Sequence, residues 1–264
     1  MVNHESFDVA AVRCDVSYRL IGQEGRPTLV LANSLGTNSR LWDQQLGMWM
    51  DDYRMVCFEY PGHGSPDWGG KQTIKAYAQR LASLLAALGI DEYFFCGLSM
   101  GGAIGMELAL LHRSRMRKLV LSNTAAVFGP PEFWAERGKT AATHGVGPLT
   151  DATLARWFTS EFAIERPDVV DFARSMLTSV ECRGYAACCE AIGCFDFRGQ
   201  LHKIGQPTLV IAGLHDSATT TEQAASLAEA IQGSTYIELG TAHIGNLGAP
   251  QEFAKAVNRF LQAA

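Results

Sequence analysis

A serine between two glycines stands where it could act as a nucleophile. Residues 96–102 have the sequence CGLSMGG, which contains the pattern Gly-x-Ser-x-Gly centred on Ser99. An apolar, strand-like run, YFFC, precedes this segment, and a helical stretch begins at Met100. A strained strand-to-helix turn exposes such a hydroxyl, and its glycines leave room for close packing. The pattern predicts a nucleophilic serine; the alternative is a glycine-rich turn with an incidental serine.

A serine hydroxyl needs a general base near neutral pH, and the chain has seven histidines. With this type of turn the chain order is serine, acid, histidine. His243 fits as the base, because it follows the last strand-like run and precedes the last helical stretch. The other histidines have other predicted places: His4 at the terminus, His63 bracing a glycine loop, His112 at a helix end, His144 and His202 in or just beyond an inserted stretch, and His215 beside the acid.

The acid that orients His243 should follow a strand at the same edge of the sheet. Asp216 comes directly after the run TLVIAGL at residues 208–214. There it would hold the imidazole in the correct tautomer and stabilise the imidazolium. Asp196 is the alternative acid.

An oxyanion hole needs two backbone N–H groups near the nucleophile. The N–H of Met100, the residue after Ser99, is the first candidate. The second comes from the loop after the TLVLA run, and there we expect the N–H of Leu35, with Gly36 permitting the turn. A helix beginning at Met100 would add a favourable dipole for an anion.

Short apolar runs and helical stretches alternate around these residues. Near-continuous apolar character is typical of strands that are covered on both faces of a parallel sheet. Such runs occupy residues 28–34, 54–60, 93–99, 118–124, 208–214 and 235–239. Helical stretches occupy residues 73–88, 100–112 and 249–263. The alternation predicts an α/β fold with a mostly parallel, doubly wound sheet, and residues 9–21 predict an antiparallel edge hairpin.

The alternation stops between about Val127 and Cys194, where helical patterns continue without a strong strand. We interpret residues 127–195 as an inserted helical cap. Residues 1–126 and 196–264 then form the α/β core.

Composition excludes several classes of partner. A net charge of −5 and a pI near 5.8 give no basic surface for nucleic acid. No apolar run approaches the roughly 20 residues that span a bilayer, and the first residues do not resemble a secretory signal.

Seven cysteines without a Cys-x-x-Cys pair suggest small buried side chains in a reducing compartment, so we expect a cytoplasmic protein. A metal is the alternative for the group Cys182, Cys188, Cys189 and Cys194 with His202, but the spacing fits no zinc template. We therefore expect no metal.

The sequence resembles the 3-oxoadipate enol-lactonases of the α/β-hydrolase superfamily nearly from end to end. The resemblance is carried by LANSLGTNSRLWDQQ, YPGHGSPD, GLSMGG, SNTAAVFGPPEFWAER, LARWFTSEF, GYAACCEAI, PTLVIAGLHD and the AHIGN around His243. The cap segments are more specific than the three catalytic positions, because many hydrolases share those positions. One departure is Glu59 before Tyr60, where many hydrolases have the pattern Asp-x-x-Gly-x-Gly.

The resemblance implies the α/β-hydrolase fold and the opening of an enol-lactone to 3-oxoadipate in aromatic-compound degradation, with no cofactor. A broad carboxylesterase or perhydrolase with the same three residues is the alternative enzyme. A catalytically silent hydrolase fold that binds a ligand or partner is the alternative from another class. A cation in the cap-lined pocket would favour the lactonase, and a wholly apolar pocket would favour the esterase.

The implied substrate is a small lactone that carries a free carboxylate, and an acidic protein must recognise that carboxylate locally. The cap is the natural source of a guanidinium partner. We expect Arg137, which follows Trp134 by three residues on one helix face, to bind it, with the Trp134 indole N–H as a further donor. The remaining cap arginines are Arg156, Arg166, Arg174 and Arg183, and the first three are expected at the surface.

Overall fold

The computed structural model describes residues 16–66 and 72–263. Most of the predicted hairpin over residues 9–21, and also His4, lie outside these ranges. The last residues of the predicted hairpin are described, and they form a strand at one edge of the sheet.

The core of the described chain is one seven-stranded sheet. The strands are β1 (Tyr18–Ile21), β2 (Thr28–Ala32), β3 (Arg54–Phe58), β4 (Tyr93–Leu98), β5 (Met116–Ser122), β6 (Thr208–Gly213) and β7 (Thr235–Leu239). Their order is β1-β3-β2-β4-β5-β6-β7. Only the β1–β3 pair among these strands is antiparallel; the other pairs are parallel. The mostly parallel, doubly wound sheet predicted from the sequence is confirmed, with β4 at its centre.

Helices connect the strands. They are α1 (Asp43–Trp49), α2 (Ile74–Ala87), α3 (Met100–Leu111), α4 (Pro131–His144), α5 (Gly147–Trp157), α6 (Ser160–Glu165), α7 (Pro167–Thr178), α8 (Cys182–Gly193), α9 (Thr221–Ala230), α10 (Gly245–Gly248) and α11 (Pro250–Gln262). Two 3₁₀ helices lie at Ser39–Trp42 and Arg198–Lys203. Over residues 16–66 and 72–263, none of these helices has the length and apolar character that crossing a membrane requires.

Local sequence signals account for several helix boundaries. Thr73 begins α2 by accepting a hydrogen bond from the backbone N–H of Ala76, as an N-cap does. Pro250 stands in the first turn of α11, where its missing N–H costs nothing. These boundaries agree with those predicted for the same two helices.

The five helices α4–α8 lie between β5 and β6 in the described chain. We propose that residues 127–195 form a cap on the core, as the sequence suggests. An isolated antiparallel bridge between Val127 and Asp196 supports these bounds, because it joins the two ends of the insertion. Within the insertion, α4 packs mainly against α8, and α5 contacts both α4 and α7.

Candidate active site

The turn between β4 and α3 presents Ser99 at the carboxyl end of the central strand. Ser99 has φ 57° and ψ −116°, a conformation that L side chains rarely adopt. A Cβ at Gly97 would collide with the backbone of Gly101, and one at Gly101 would collide with the backbone of Ala32. Both glycines of the pattern are therefore required by the close approach of β2, β4 and α3.

Three side chains form a continuous hydrogen-bonded chain at this edge of the sheet. His243 Nε2 lies 2.9 Å from Ser99 Oγ, and His243 Nδ1 lies 2.8 Å from Asp216 Oδ2. An ionised carboxylate only accepts hydrogen bonds, so Nδ1 carries the proton and Nε2 is free to accept the serine proton. All three residues are at least 93% buried. The three residues predicted from chain order are thus brought together in the geometry that general-base activation of a hydroxyl requires.

Backbone and side-chain donors fix the Asp216 carboxylate. Oδ1 accepts from the N–H groups of Ala218 and Thr219, and Oδ2 accepts from Thr219 Oγ1 at 2.8 Å and Asn123 Nδ2 at 3.1 Å. Burial alone would raise the pKa of this carboxyl, but His243 and these hydrogen bonds outweigh burial and hold the pKa well below its usual range. Asp216 is therefore ionised at any pH where the protein would work.

Asn123 was not singled out from the sequence, although it joins the acid to the histidine loop. It is almost fully buried, directly after β5, and has φ 46°. Its Nδ2 donates to Asp216 and also to the carbonyl of Ala242, the residue before His243. Ser122 Oγ donates to its Oδ1 at 2.7 Å. The only signal in the sequence is its position at the end of a neighbouring strand.

The two backbone N–H groups predicted for the oxyanion hole are free in the described part of the chain. Met100 is the first residue of α3, and its N–H has no intrahelical partner. The N–H of Leu35 likewise has no hydrogen-bond partner among the described residues, and Leu35 lines the cavity above Ser99. Their role as the oxyanion hole stays a prediction.

Glu59 and Asn33 fix the loop that carries Leu35. Asn33 donates to the carbonyl of Phe58 and to Glu59 Oε2, and it accepts from Trp42 Nε1. Both carboxyl oxygens of Glu59 accept from the N–H of Ser39. Burial raises the pKa of Glu59 to about 7, although the Ser39 and Asn33 hydrogen bonds partly oppose the rise. The departure noted at Glu59 thus places a titratable group beneath this loop.

A cavity lies over Ser99, between the core and the helices of the insertion. Its described lining residues come from both parts of the chain: Ser34, Leu35, Ser99, Ala218 and His243 from the core, and Phe128, Trp134, Arg137, Thr153, Arg156, Trp157, Tyr185 and Ile192 from the insertion. The lining contains two guanidinium groups and no carboxylate. The described wall of the cavity is therefore cationic and otherwise largely apolar.

Arg137 lies in this wall, as predicted, and is only 8% exposed. Its Nε and Nη2 donate to Tyr185 Oη at 2.9 and 2.6 Å, and Nη2 also donates to Thr153 Oγ1 at 2.6 Å. His63 stacks on the Tyr185 ring, with 6.1 Å between centroids. Neutral hydroxyls thus orient a buried cation that has no carboxylate partner among the described residues.

Trp134 also lines the cavity, but its polar atom is already engaged. The indole N–H donates to the carbonyl of Phe128 at 2.7 Å. The expectation that this N–H faces the substrate carboxylate is therefore corrected, because a single N–H donor is committed to the backbone. The ring remains as part of the apolar wall.

Arg156 departs from its expected surface position. Its side chain is only partly exposed and lines the cavity, because the end of α5 turns toward His243. Arg166 and Arg174 do lie at the surface, paired with Asp168 and Asp151. Arg183 is also exposed.

The residues considered as alternatives lie elsewhere. Asp196 is surface-exposed and paired with Arg198, away from His243. His63 does brace its glycine loop, since Nδ1 lies 2.9 Å from the carbonyl of Pro61. Burial lowers the pKa of His63 to about 4, so the ring is neutral. Tyr93 contacts His112 at a helix end.

Comparison with known proteins extends this picture. A family model described as the alpha/beta hydrolase fold matches residues 27–250. A 3-oxoadipate enol-lactonase 2 from Acinetobacter baylyi is 36% identical over 248 residues, which cover 94% of this chain and 93% of that protein.

Two solved structures are also similar. The crystal structure of the enol-lactonase from Burkholderia xenovorans is 39% identical, with a TM-score of 0.92, and covers 94% of this chain and 96% of that one. A thermophilic esterase from Thermogutta terrifontis shares the fold at 24% identity and a TM-score of 0.88, over 94% of this chain and 93% of that one. The chain belongs to the alpha/beta hydrolase fold family and resembles its 3-oxoadipate enol-lactonases.

Proposed function

We propose that the chain is a serine hydrolase that opens the enol-lactone of 3-oxoadipate to 3-oxoadipate, a step in the breakdown of aromatic compounds. The names of the Acinetobacter and Burkholderia relatives suggest the substrate. The hydrogen-bonded chain of Ser99, His243 and Asp216 supports the reaction type. A substrate of this class is a small molecule with one ester-like bond and one free carboxylate.

The observation that carries the substrate assignment is Arg137. A buried guanidinium without a carboxylate partner is costly, unless an anion completes it during the working cycle. Arg137 meets this description in the same cavity as Ser99, and Tyr185 and Thr153 already orient it. An enol-lactone with a carboxylate side chain supplies the missing anion, whereas a simple ester does not.

Acylation begins when Ser99 Oγ attacks the lactone carbonyl and His243 Nε2 takes the hydroxyl proton. Asp216 stabilises the resulting imidazolium and keeps the ring in place. The N–H groups of Leu35 and Met100 bind the oxyanion of the tetrahedral intermediate. When the ring C–O bond breaks, the leaving oxygen departs as an enolate, which is a weaker base than a simple alkoxide. The imidazolium of His243 gives its proton to this oxygen, which becomes an enol, and the imidazole is neutral again. This donation is less demanding than it would be in an amidase.

Deacylation uses the same residues with water in place of Ser99. His243 accepts a proton from the water, the hydroxide attacks the acyl carbon, and the bond to Ser99 Oγ breaks as the serine recovers its proton. The ring oxygen, now an enol, becomes the ketone. The lactone enters with one carboxylate, and the product leaves with two.

Comparing two substrates tests the proposal. We expect kcat/KM for the enol-lactone to exceed that for p-nitrophenyl acetate, although the aryl ester is chemically more reactive. A clear preference for neutral esters would favour the broad carboxylesterase instead. Labelling of wild type, but not of Ser99→Ala, by a fluorophosphonate would exclude a catalytically silent fold.

A further inference from the structure

The cavity holds a second cation that the proposed substrate does not use. Arg156 lines the same wall as Arg137, but among the described residues its guanidinium has no hydrogen bond and no ion pair. Its described side-chain contact is the Phe133 ring, with the guanidinium carbon 5.4 Å from the centroid. The enol-lactone has one carboxylate, and Arg137 is already oriented to bind it.

Arg156 lies next to His243, at the end of the cavity where Ser99 would react. Its backbone carbonyl accepts a hydrogen bond from the N–H of His243 at 3.3 Å. His243 Nε2 in turn lies 2.9 Å from Ser99 Oγ, which holds the acyl carbon. Hydrolysis therefore creates the new carboxylate next to His243, and Arg156 is hydrogen-bonded to the backbone of His243.

The two arginines are prepared for their anions in different ways. Tyr185 and Thr153 hold Arg137 in one orientation. This suits a residue that binds the carboxylate that the lactone already carries when it enters. Among the described residues Arg156 has no hydrogen-bond or ion-pair partner, and its guanidinium contacts the Phe133 ring, so its N–H groups are available to an anion that forms in the cavity. Partial burial and the neighbouring charge of Arg137 lower the pKa of Arg156, although Tyr185 and Asp216 partly oppose the shift, so the two guanidinium groups lie near enough to repel each other. Arginine stays charged even so.

From this arrangement we propose that Arg156 forms a second anion subsite, which binds the carboxylate released by hydrolysis, so that the cavity recognises linear dicarboxylates. This inference deepens the proposed function, because it assigns the two product carboxylates to Arg137 and Arg156. No covalent step is added. The subsite acts after the chemistry, in holding and releasing the product.

The test is a binding measurement that needs no turnover. Adipate and hexanoate have chains of the same length but carry two carboxylates and one carboxylate. In calorimetric titrations of wild type we expect adipate to bind about tenfold more tightly than hexanoate, with both added well above the protein concentration. Arg156→Gln should abolish this difference by weakening adipate alone, and Arg137→Gln should weaken both ligands.

Two further variants separate charge from folding. Arg156→Lys keeps the cation and should retain most of the adipate preference. Arg183→Gln removes an exposed arginine from the same insertion and should leave the preference unchanged. The proposal is overturned if wild type binds the two ligands equally, or if Arg156→Gln keeps the preference. A protein that prefers adipate but does not open the enol-lactone would keep this subsite while the proposed function fails.

Discussion

At the scale of single residues, we expect the hydrogen-bonded chain from Ser99 through His243 to Asp216 to act as one unit in catalysis. Ser99→Ala and His243→Ala should each lower kcat by several orders of magnitude, and the double variant should be little worse than either one. Asp216→Asn should cost somewhat less, on the order of 10⁴, because the nucleophile and the base remain, although the imidazole loses its correct tautomer and the charge that stabilises the imidazolium. Single-turnover and steady-state kinetics measure these losses.

The same series checks the assignment of the acid. Asp196→Asn is the matched control, since that carboxylate is at the surface and paired with Arg198. An Asp216→Asn protein as active as wild type, together with an inactive Asp196→Asn protein, would show that the acid had been assigned to the wrong residue.

Arg137 carries a prediction about substrate choice. Arg137→Ala should lower kcat/KM for the enol-lactone by roughly 2–5 kcal/mol, the usual cost of removing one partner of a buried charge pair. Hydrolysis of the uncharged p-nitrophenyl acetate should change little, because that substrate has no carboxylate. Kinetics with both substrates distinguish binding from folding: equal losses would mean that Arg137 supports the fold, and no loss on either would contradict its binding role.

Sequence patterns located the three hydrogen-bonded residues that we propose as catalytic better than the residues of the proposed substrate site. Ser99 stands in a recognisable motif, and the order of strands along the chain selects Asp216 and His243 among the other acids and histidines. The sequence alone therefore contains the information that these predictions need. The cavity position of Arg156 depends on the direction in which α5 ends relative to the His243 loop, and the engaged N–H of Trp134 depends on where Phe128 lies. These are relations between segments, which no local pattern contains.

At the scale of elements, the loop between β2 and the Ser39–Trp42 helix rests on a buried carboxyl. The pKa of Glu59 is raised by burial to about 7 in the folded protein, whereas an unfolded chain has the ordinary value near 4.5. The folded state therefore binds more protons between these values. The contribution of protonated Glu59 to the free energy of unfolding is fully present below about pH 4.5, and it is lost as the pH rises to about 7.

Glu59→Gln should remove this pH dependence. Between about pH 5 and pH 8 the unfolding free energy of the variant should improve relative to wild type by up to about 3 kcal/mol, because the amide has no proton to lose. Urea unfolding at several pH values measures the difference. Glu92→Gln, at an exposed ion pair with Arg117, is the control and should show no such trend. Parallel curves for wild type and Glu59→Gln would contradict the assignment.

Element positions follow closely from the sequence, because strands and helices are set by local periodicity. The six predicted strands and the helices α2, α3 and α11 lie within a few residues of their predicted bounds. The network that joins Asn33, Glu59 and Ser39 could not be foreseen, since it links side chains at the ends of two strands to a backbone N–H at the start of a 3₁₀ helix.

At the scale of the whole molecule, the described cysteines are all free. Among residues 16–66 and 72–263, no three His, Cys, Asp or Glu side chains are grouped as metal ligands. Activity and melting temperature should therefore be unchanged by EDTA and by a thiol reductant. Dialysis against each reagent, followed by an activity assay and thermal melting, is the measurement. Loss of folding on chelation would restore Cys182, Cys188, Cys189 and Cys194 as candidate ligands.

Two backbone hydrogen bonds have a consequence for how such an enzyme can be altered. The carbonyls of Arg156 and Trp157, at the end of α5, accept from the N–H groups of His243 and Ile244. The segment that lines the pocket thereby also supports the loop of His243, the proposed general base. Grafting the helices of another hydrolase onto this core would replace these two hydrogen-bond acceptors together with the pocket. A chimera that retains the last turn of α5 should keep its turnover while acquiring a new substrate range, whereas one that replaces this turn should lose turnover on every substrate alike.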